Sequence, residues 1–126
     1  MPIAYTVEPT RNRVTLVYTG TITDRELFET FDRLYRDPAH RVGMDELSDL
    51  RTVHNVTVTS VGLQALADQT ARNLDQARQT WRVAVVAPQD VVFGLARMYG
   101  LFREDSPELV RVFRDLASAE EWLASP

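Results

Sequence analysis

The sequence predicts one α/β domain over residues 1–126, a mixed sheet with helices packed on it in the order ββαβαβαβα. Two alternating segments close to the amino end, Ile3-Tyr5-Val7 and Val14-Leu16-Tyr18, flank the turn-rich "EPTRN" and read as an antiparallel hairpin. The run "WRVAVVA" is apolar without interruption from Val83 to Ala87, the pattern of a strand buried on both faces in a parallel sheet. Helical and strand-like periods then alternate with no repeat and no internal linker, the order that builds a layered α/β domain.

Each element has a local reason. Gly20 is expected to end the hairpin, and "TDRE" (Thr23 to Glu26) fits a capping box for the first helix. Leu27, Phe28, Phe31, Leu34 and Tyr35 recur at helical spacing until Asp37-Pro38 stops the run. "DPAHRVG" is a loop, and a third strand is expected over Glu46 to Leu50. A second helix opens at Thr59 or Ser60 and turns Leu63, Leu66, Ala67, Thr70, Leu74 and Ala77 inward. After the buried strand, "DVVFGLARMYGLF" forms a third helix, with Pro88 suited to its first turn and Asp90 complementing its positive end. "LVRVFR" reads as an edge strand whose arginines discourage stray pairing, and a last short helix holds Ala119, Trp122 and Leu123.

Composition narrows the function classes. A hydrophobic content of 44% with 25% charged residues is that of a globular protein, and 126 residues can bury a substantial core. A net charge of −4, with Asp or Glu interleaved among the arginines, argues against nucleic acid and against an anionic membrane surface. No apolar run reaches the roughly 18 residues of a membrane span. The amino end lacks a secretory signal pattern, so the chain is read as cytoplasmic. There is no cysteine, which removes disulfides, thiolate metal sites and thiol catalysis. All 14 basic residues are Arg, which removes Schiff-base lysines and the P-loop lysine. The two histidines, His40 and His54, fall in different expected loops without metal-ligand spacing, so no metal and no cofactor is expected.

Candidate chemistry is sparse. Asp49 and Arg51, two apart in "SDLR", would share a face while the strand lasts, near the strand ends that border ligand crevices in such sheets. With His54 they form a candidate binding cluster, against the competing reading of a structural ion pair. Thr59 and Ser60 are candidate helix caps and, by the same position, candidate anion contacts. Asp49, His54 and Ser60 could instead form a hydrolase triad, although "TVTSVG" lacks the first glycine of a nucleophile elbow.

The third helix is apolar around most of its circumference. At 100° per residue, Val91, Leu95, Met98 and Phe102, flanked by Val92, Tyr99 and Leu101, form the stripe expected to cover the sheet. Phe93 then shares the opposite face with Ala96, Arg97 and Gly100. A glycine inside a helix costs about 1 kcal/mol relative to Ala, so Gly100 is expected to admit a close neighbour. The expectation is a two-fold homodimer through this outer face, with Phe93 as anchor.

In element order the chain resembles the STAS-domain superfamily, the fold of bacterial anti-sigma-factor antagonists. It looks closest to small free-standing STAS-like proteins, which have been compared with CRAL-TRIO lipid-transfer domains. In the antagonists a D-S-S-G-L motif at the start of the second helix carries a regulatory phosphoserine. The matching stretch is "TSVGL", Thr59 to Leu63, which places Ser60 on the phosphorylated position, with Thr59 in place of the acidic residue and Val61 in place of the second serine. "DLR" before a loop and the closing "VFRDLASAEEWL" also resemble the free-standing group. The resemblance implies a non-enzymatic regulatory or protein-interaction module, a homodimer that meets a regulatory protein or a small apolar ligand. The alternative is a small-ligand or lipid-binding domain with an apolar pocket, and an enzyme ranks behind both. A binder should contain a cavity, an interaction module an exterior apolar patch, and an enzyme a converging trio.

Overall fold

Pro9–Arg11 make a single 3₁₀ turn after the first strand, and Asn12, in the left-handed region at φ 51°, folds the chain back on itself. The computed structural model describes residues 2–126. Its strands are β1 (Ile3–Glu8), β2 (Arg13–Ile22), β3 (Asp45–Val56), β4 (Trp81–Val86) and β5 (Glu108–Phe113). Its helices are α1 (Asp24–Arg36), α2 (Ser60–Leu74), α3 (Asp90–Phe102) and α4 (Leu116–Ala124). The element order is the expected one.

The five strands lie side by side in chain order; β1 is antiparallel to β2 and the rest run parallel. Each of α1, α2 and α3 therefore carries the chain one strand over in the same direction. Crossovers of one hand then land on one face of the sheet, and α1 packs on α2 and α2 on α3. The terminal α4 is free of that constraint and lies against β4, β5 and β3 with a separate small core of Leu47, Ala84, Val86 and Ala119. β4 is buried on both faces, with Val83 and Val85 toward the helices and Ala84 and Val86 toward α4.

Three boundaries differ from expectation. β2 does not end at Gly20 but continues to Ile22, with Gly20 at φ 68° where the pairing with β3 shifts register. β3 runs to Val56, six residues beyond Leu50, because two irregularities let its polar second half stay paired to β2. His54 is thus on a strand and not in a loop. Pro88 lies outside the first turn of α3, whose cap is Gln89.

The expected stripe of α3 holds in its middle and not at its ends: Leu95 and Met98 pack on the core, while Val91 and Phe102 are exposed. Val92 is buried, Leu95, Ala96 and Tyr99 are half-buried, and Arg103 just past the helix end is buried, whereas Val91 is 70% and Leu101 65% exposed. The Arg103 guanidinium is held inward by Glu108 and Asp75. Ala96 belongs to the inner face. Gly100 faces the chain's own β5: a Cβ there would lie 3.4 Å from Val110 Cγ1. Phe93 is half-buried at the edge of the core, with the Arg114 guanidinium 3.9 Å from its ring centroid.

Candidate functional site

On the three-helix face, β3 alternates Glu46, Ser48 and Leu50 toward the helices. These residues floor a cavity of about 90 Å³ between the sheet and the helices. Its walls are almost wholly apolar, with Leu63 and Leu66 from α2 and Val92, Leu95 and Ala96 from α3. The polar groups on its lining are Tyr18, Glu46, Ser48 and Tyr99. Val56, Val58 and Leu95 line it while themselves half-buried and form part of its outer lip.

The polar groups form a chain. The Ser48 hydroxyl donates to Glu46 Oε2 at 3.0 Å, and Tyr18 Oη lies 3.3 Å from Ser48 Oγ. Tyr99 donates to Glu108 Oε1 at 2.7 Å, which Arg103 Nε also reaches at 3.2 Å, while Trp81 donates to the other oxygen. Asp75 holds the far side of the Arg103 guanidinium. Thr70 connects Tyr35 and Tyr99 above this network. Burial, aided by the nearby Glu108 charge, pushes the Glu46 carboxyl up to about 8, against the pull of Ser48. Burial also raises Glu108, but three donors and the Arg103 charge oppose it. Glu46 is therefore the carboxyl that stays protonated at neutral pH, and Glu108 the one that has a counter-ion.

The residues singled out in the sequence lie elsewhere. Asp49 is on the α4 face of the sheet, paired with Val86, and both its oxygens are taken by Arg51 (Nη2 at 2.9 Å, Nε at 2.9 Å and the backbone N–H at 3.0 Å). Arg51 holds the Asp49 carboxyl below its ordinary value. The pair is local, bracketing the point where β3 slips register. His54 is exposed and borders a separate crevice with Val53, Gln89 and Val91 at the ends of β3 and β4, in which neither Asp49 nor Arg51 takes part. No hydrogen bond joins any two of Asp49, His54 and Ser60 among the described residues.

Thr59 caps α2, accepting from Gly62 N at 3.0 Å, and Ser60 is exposed in the first turn. The amino end of α2 already holds an anion: Asp24 accepts from Thr59 N at 2.9 Å and from its hydroxyl at 2.7 Å. Gly62 leaves room for that carboxyl group, which a Cβ would overlap. A phosphate added at Ser60 would meet this charge. Phe93, Arg97 and Gly100 line a surface groove between α3 and the free edge of β5, and Ala96 does not. Among the described residues, no group of three or more His, Asp or Glu side chains could hold a metal ion, and no helix is long and apolar enough to cross a membrane.

No family model and no curated protein matches the sequence. Among solved structures, the chain is similar to an uncharacterized protein of the DUF3478 family from Shewanella loihica PV-4, described as having a SpoIIAA-like fold. The two share 15% identity at a TM-score of 0.62, over 97% of this chain and 94% of the other. The fold is SpoIIAA-like. The likeness holds over nearly the whole chain and is one of fold.

The cavity and its carboxyl group escaped the sequence reading. Glu46 sits in "MDELSDL", where Asp49 draws attention by its neighbour Arg51. The available signal was the alternation Glu46-Ser48-Leu50: if Leu47 faces one core, these three face the other, and a carboxylate is then committed to an interior.

Proposed function

We propose that this SpoIIAA-like domain is a binding module for a small apolar molecule, or for the end of a longer apolar chain, held between the sheet and α2–α3. The observation that carries this is the cavity of about 90 Å³ with apolar walls between the sheet and the helices. Close packing makes such voids few. An engineered cavity of roughly 150 Å³ takes up benzene, so this one accepts about four non-hydrogen atoms without rearrangement. At a ceiling of about −1.5 kcal/mol per atom, four atoms give a dissociation constant of about 40 μM at best. A tighter ligand must therefore extend past the half-buried lip at Val56, Val58 and Leu95.

Xenon is the direct probe. Methyl NMR of Leu63, Leu66, Val92 and Leu95 under xenon pressure is expected to show saturable shifts in the wild type and none in Ala96→Leu, which fills the space. Equal, non-saturating shifts in both proteins would overturn the proposal.

A second function is compatible with the first. The exposed Leu101 of α3 lines, with Phe93, Arg97 and Gly100, the groove against Val110 and Val112 of β5. This is the surface for self-association, now centred on the α3–β5 groove and without Ala96. Light scattering of the wild type and of Phe93→Glu decides it: a dimer that the substitution dissociates supports the assignment, and a wild-type monomer at micromolar concentration removes it.

A further inference from the structure

We propose that the cavity selects neutral molecules carrying a hydrogen-bond-accepting oxygen, such as a ketone, aldehyde or ester carbonyl, and rejects carboxylates, because its wall has one unspent donor that exists only while Glu46 is protonated. The inference rests on the ligand-binding function above and adds the chemistry of the head group.

The argument is a count of hydrogens. Tyr18, Ser48 and Glu46 are joined by two hydrogen bonds, Tyr18 to Ser48 and Ser48 to Glu46. With Glu46 ionised, the two hydroxyl hydrogens make those two bonds and nothing is left over. With Glu46 protonated there are three hydrogens and still two bonds. One hydrogen is then free whichever way the chain is oriented, at Glu46 Oε1 in one direction and at Tyr18 Oη in the other. Both residues line the cavity. The fourth polar lining group, Tyr99, has given its hydrogen to Glu108. An acceptor oxygen entering the cavity gives that hydrogen a partner.

The groups that face Glu46 include no cation of its own, and the Ser48 hydroxyl alone favours its ionised form. β2 presents the Tyr18 hydroxyl and β3 the Ser48 hydroxyl. α1 contributes Tyr35 and α2 Thr70, bonded to each other. α3 contributes Tyr99, β4 the Trp81 N–H and β5 the Glu108 carboxylate. Arg103 is the one cation in this group, and it is shared between Glu108 and Asp75. Arg103 is already committed to both, so no cation is left to stabilise a further carboxylate, whether it comes from Glu46 or from a ligand.

The test compares three probes by methyl NMR at pH 6 and pH 9.5: acetone, acetate of nearly the same shape, and xenon. Acetone is expected to bind at pH 6, with its dissociation constant about thirtyfold higher at pH 9.5, where a group titrating near 8 is almost fully ionised. Xenon needs no donor and is expected to bind equally at both. Acetate is expected to bind at neither. Glu46→Gln, which carries its hydrogens at every pH, should keep acetone binding and lose its pH dependence. Should that variant fail to fold, the wild-type carboxyl ¹³C titration of Glu46 replaces it: reciprocity requires saturating acetone to move that titration to higher pH. Acetone binding that is equal at both pH values, or an unmoved Glu46 titration, overturns the inference and leaves the cavity function standing if xenon binds. Absence of xenon binding overturns both.

Discussion

Glu46 faces the three-helix side of the sheet; Asp49, three residues on along β3, faces the other side. Glu46 has one hydrogen bond from a serine, no cation in contact and a titration raised to about 8. Asp49 has an arginine wrapped around it and a titration lowered. An odd spacing on a strand is enough to produce this contrast, because successive side chains alternate between faces. Under the three helices a charge is expensive and the carboxyl keeps its proton. On the face that α4 covers only in part, a carboxylate keeps its charge and finds a local partner.

The largest effect expected from disturbing the buried side is at Arg103. Its guanidinium is 3% exposed and is the shared counter-ion of Glu108 and Asp75. Arg103→Met leaves Glu108 buried and unpaired, and the urea unfolding free energy is expected to fall by about 3–5 kcal/mol. The double variant Arg103→Met/Glu108→Gln should recover part of that loss, since it removes the uncompensated charge along with its partner. A single variant as stable as the wild type would mean that the network does not set the energetics of this face.

An effect of comparable size, spread over pH, separates Glu46 from Asp49. The Glu46 proton is held in the folded chain up to about pH 8 and lost in the unfolded chain near 4.5. Between those values the folded state binds one more proton, so the group favours folding less as pH rises, by about 1.4 kcal/mol per pH unit. Asp49 works in the opposite sense, losing stability only as pH falls into the acid range. The difference in unfolding free energy between the wild type and Glu46→Gln, measured from pH 5 to 8, is expected to change steadily in favour of the variant. A difference that does not vary with pH would place Glu46 in a solvated setting and erase the contrast with Asp49.

Much of the fold was legible because local signals agreed with the sheet. The hairpin, the Thr23 cap, the doubly buried β4 and the edge arginines of β5 all follow from patterns a few residues long. What was not legible depended on distant partners. Arg103 lies beyond the apolar run of α3, and its inward pairing with Glu108 and Asp75 leaves no mark in that run. β3 outlasts its apolar pattern because irregular pairing with β2 sustains it. The cavity arises from side chains on six elements, and no one segment advertises it. Asp49 and Arg51 looked like a site for the reason that makes them inert: they are close enough in sequence to satisfy each other.

The last and smallest effect tests that inertness. The Arg51 side chain is 48% exposed, and two of its guanidinium nitrogens are already committed to Asp49. An ion pair at such exposure gives little net stability, since solvent screens it and two side chains must be held in one geometry. Arg51→Ala is expected to leave the urea midpoint within experimental error and to leave xenon and acetone binding unchanged. Titration of wild-type protein with inorganic phosphate, followed by the Arg51 Nε–H resonance, should show no saturable shift, because an incoming anion has to compete with a carboxylate attached two residues away. A saturable phosphate shift at Arg51 that Arg51→Ala abolishes would show instead that the open face carries the ligand site, and the contrast between the two carboxylates would then run the other way.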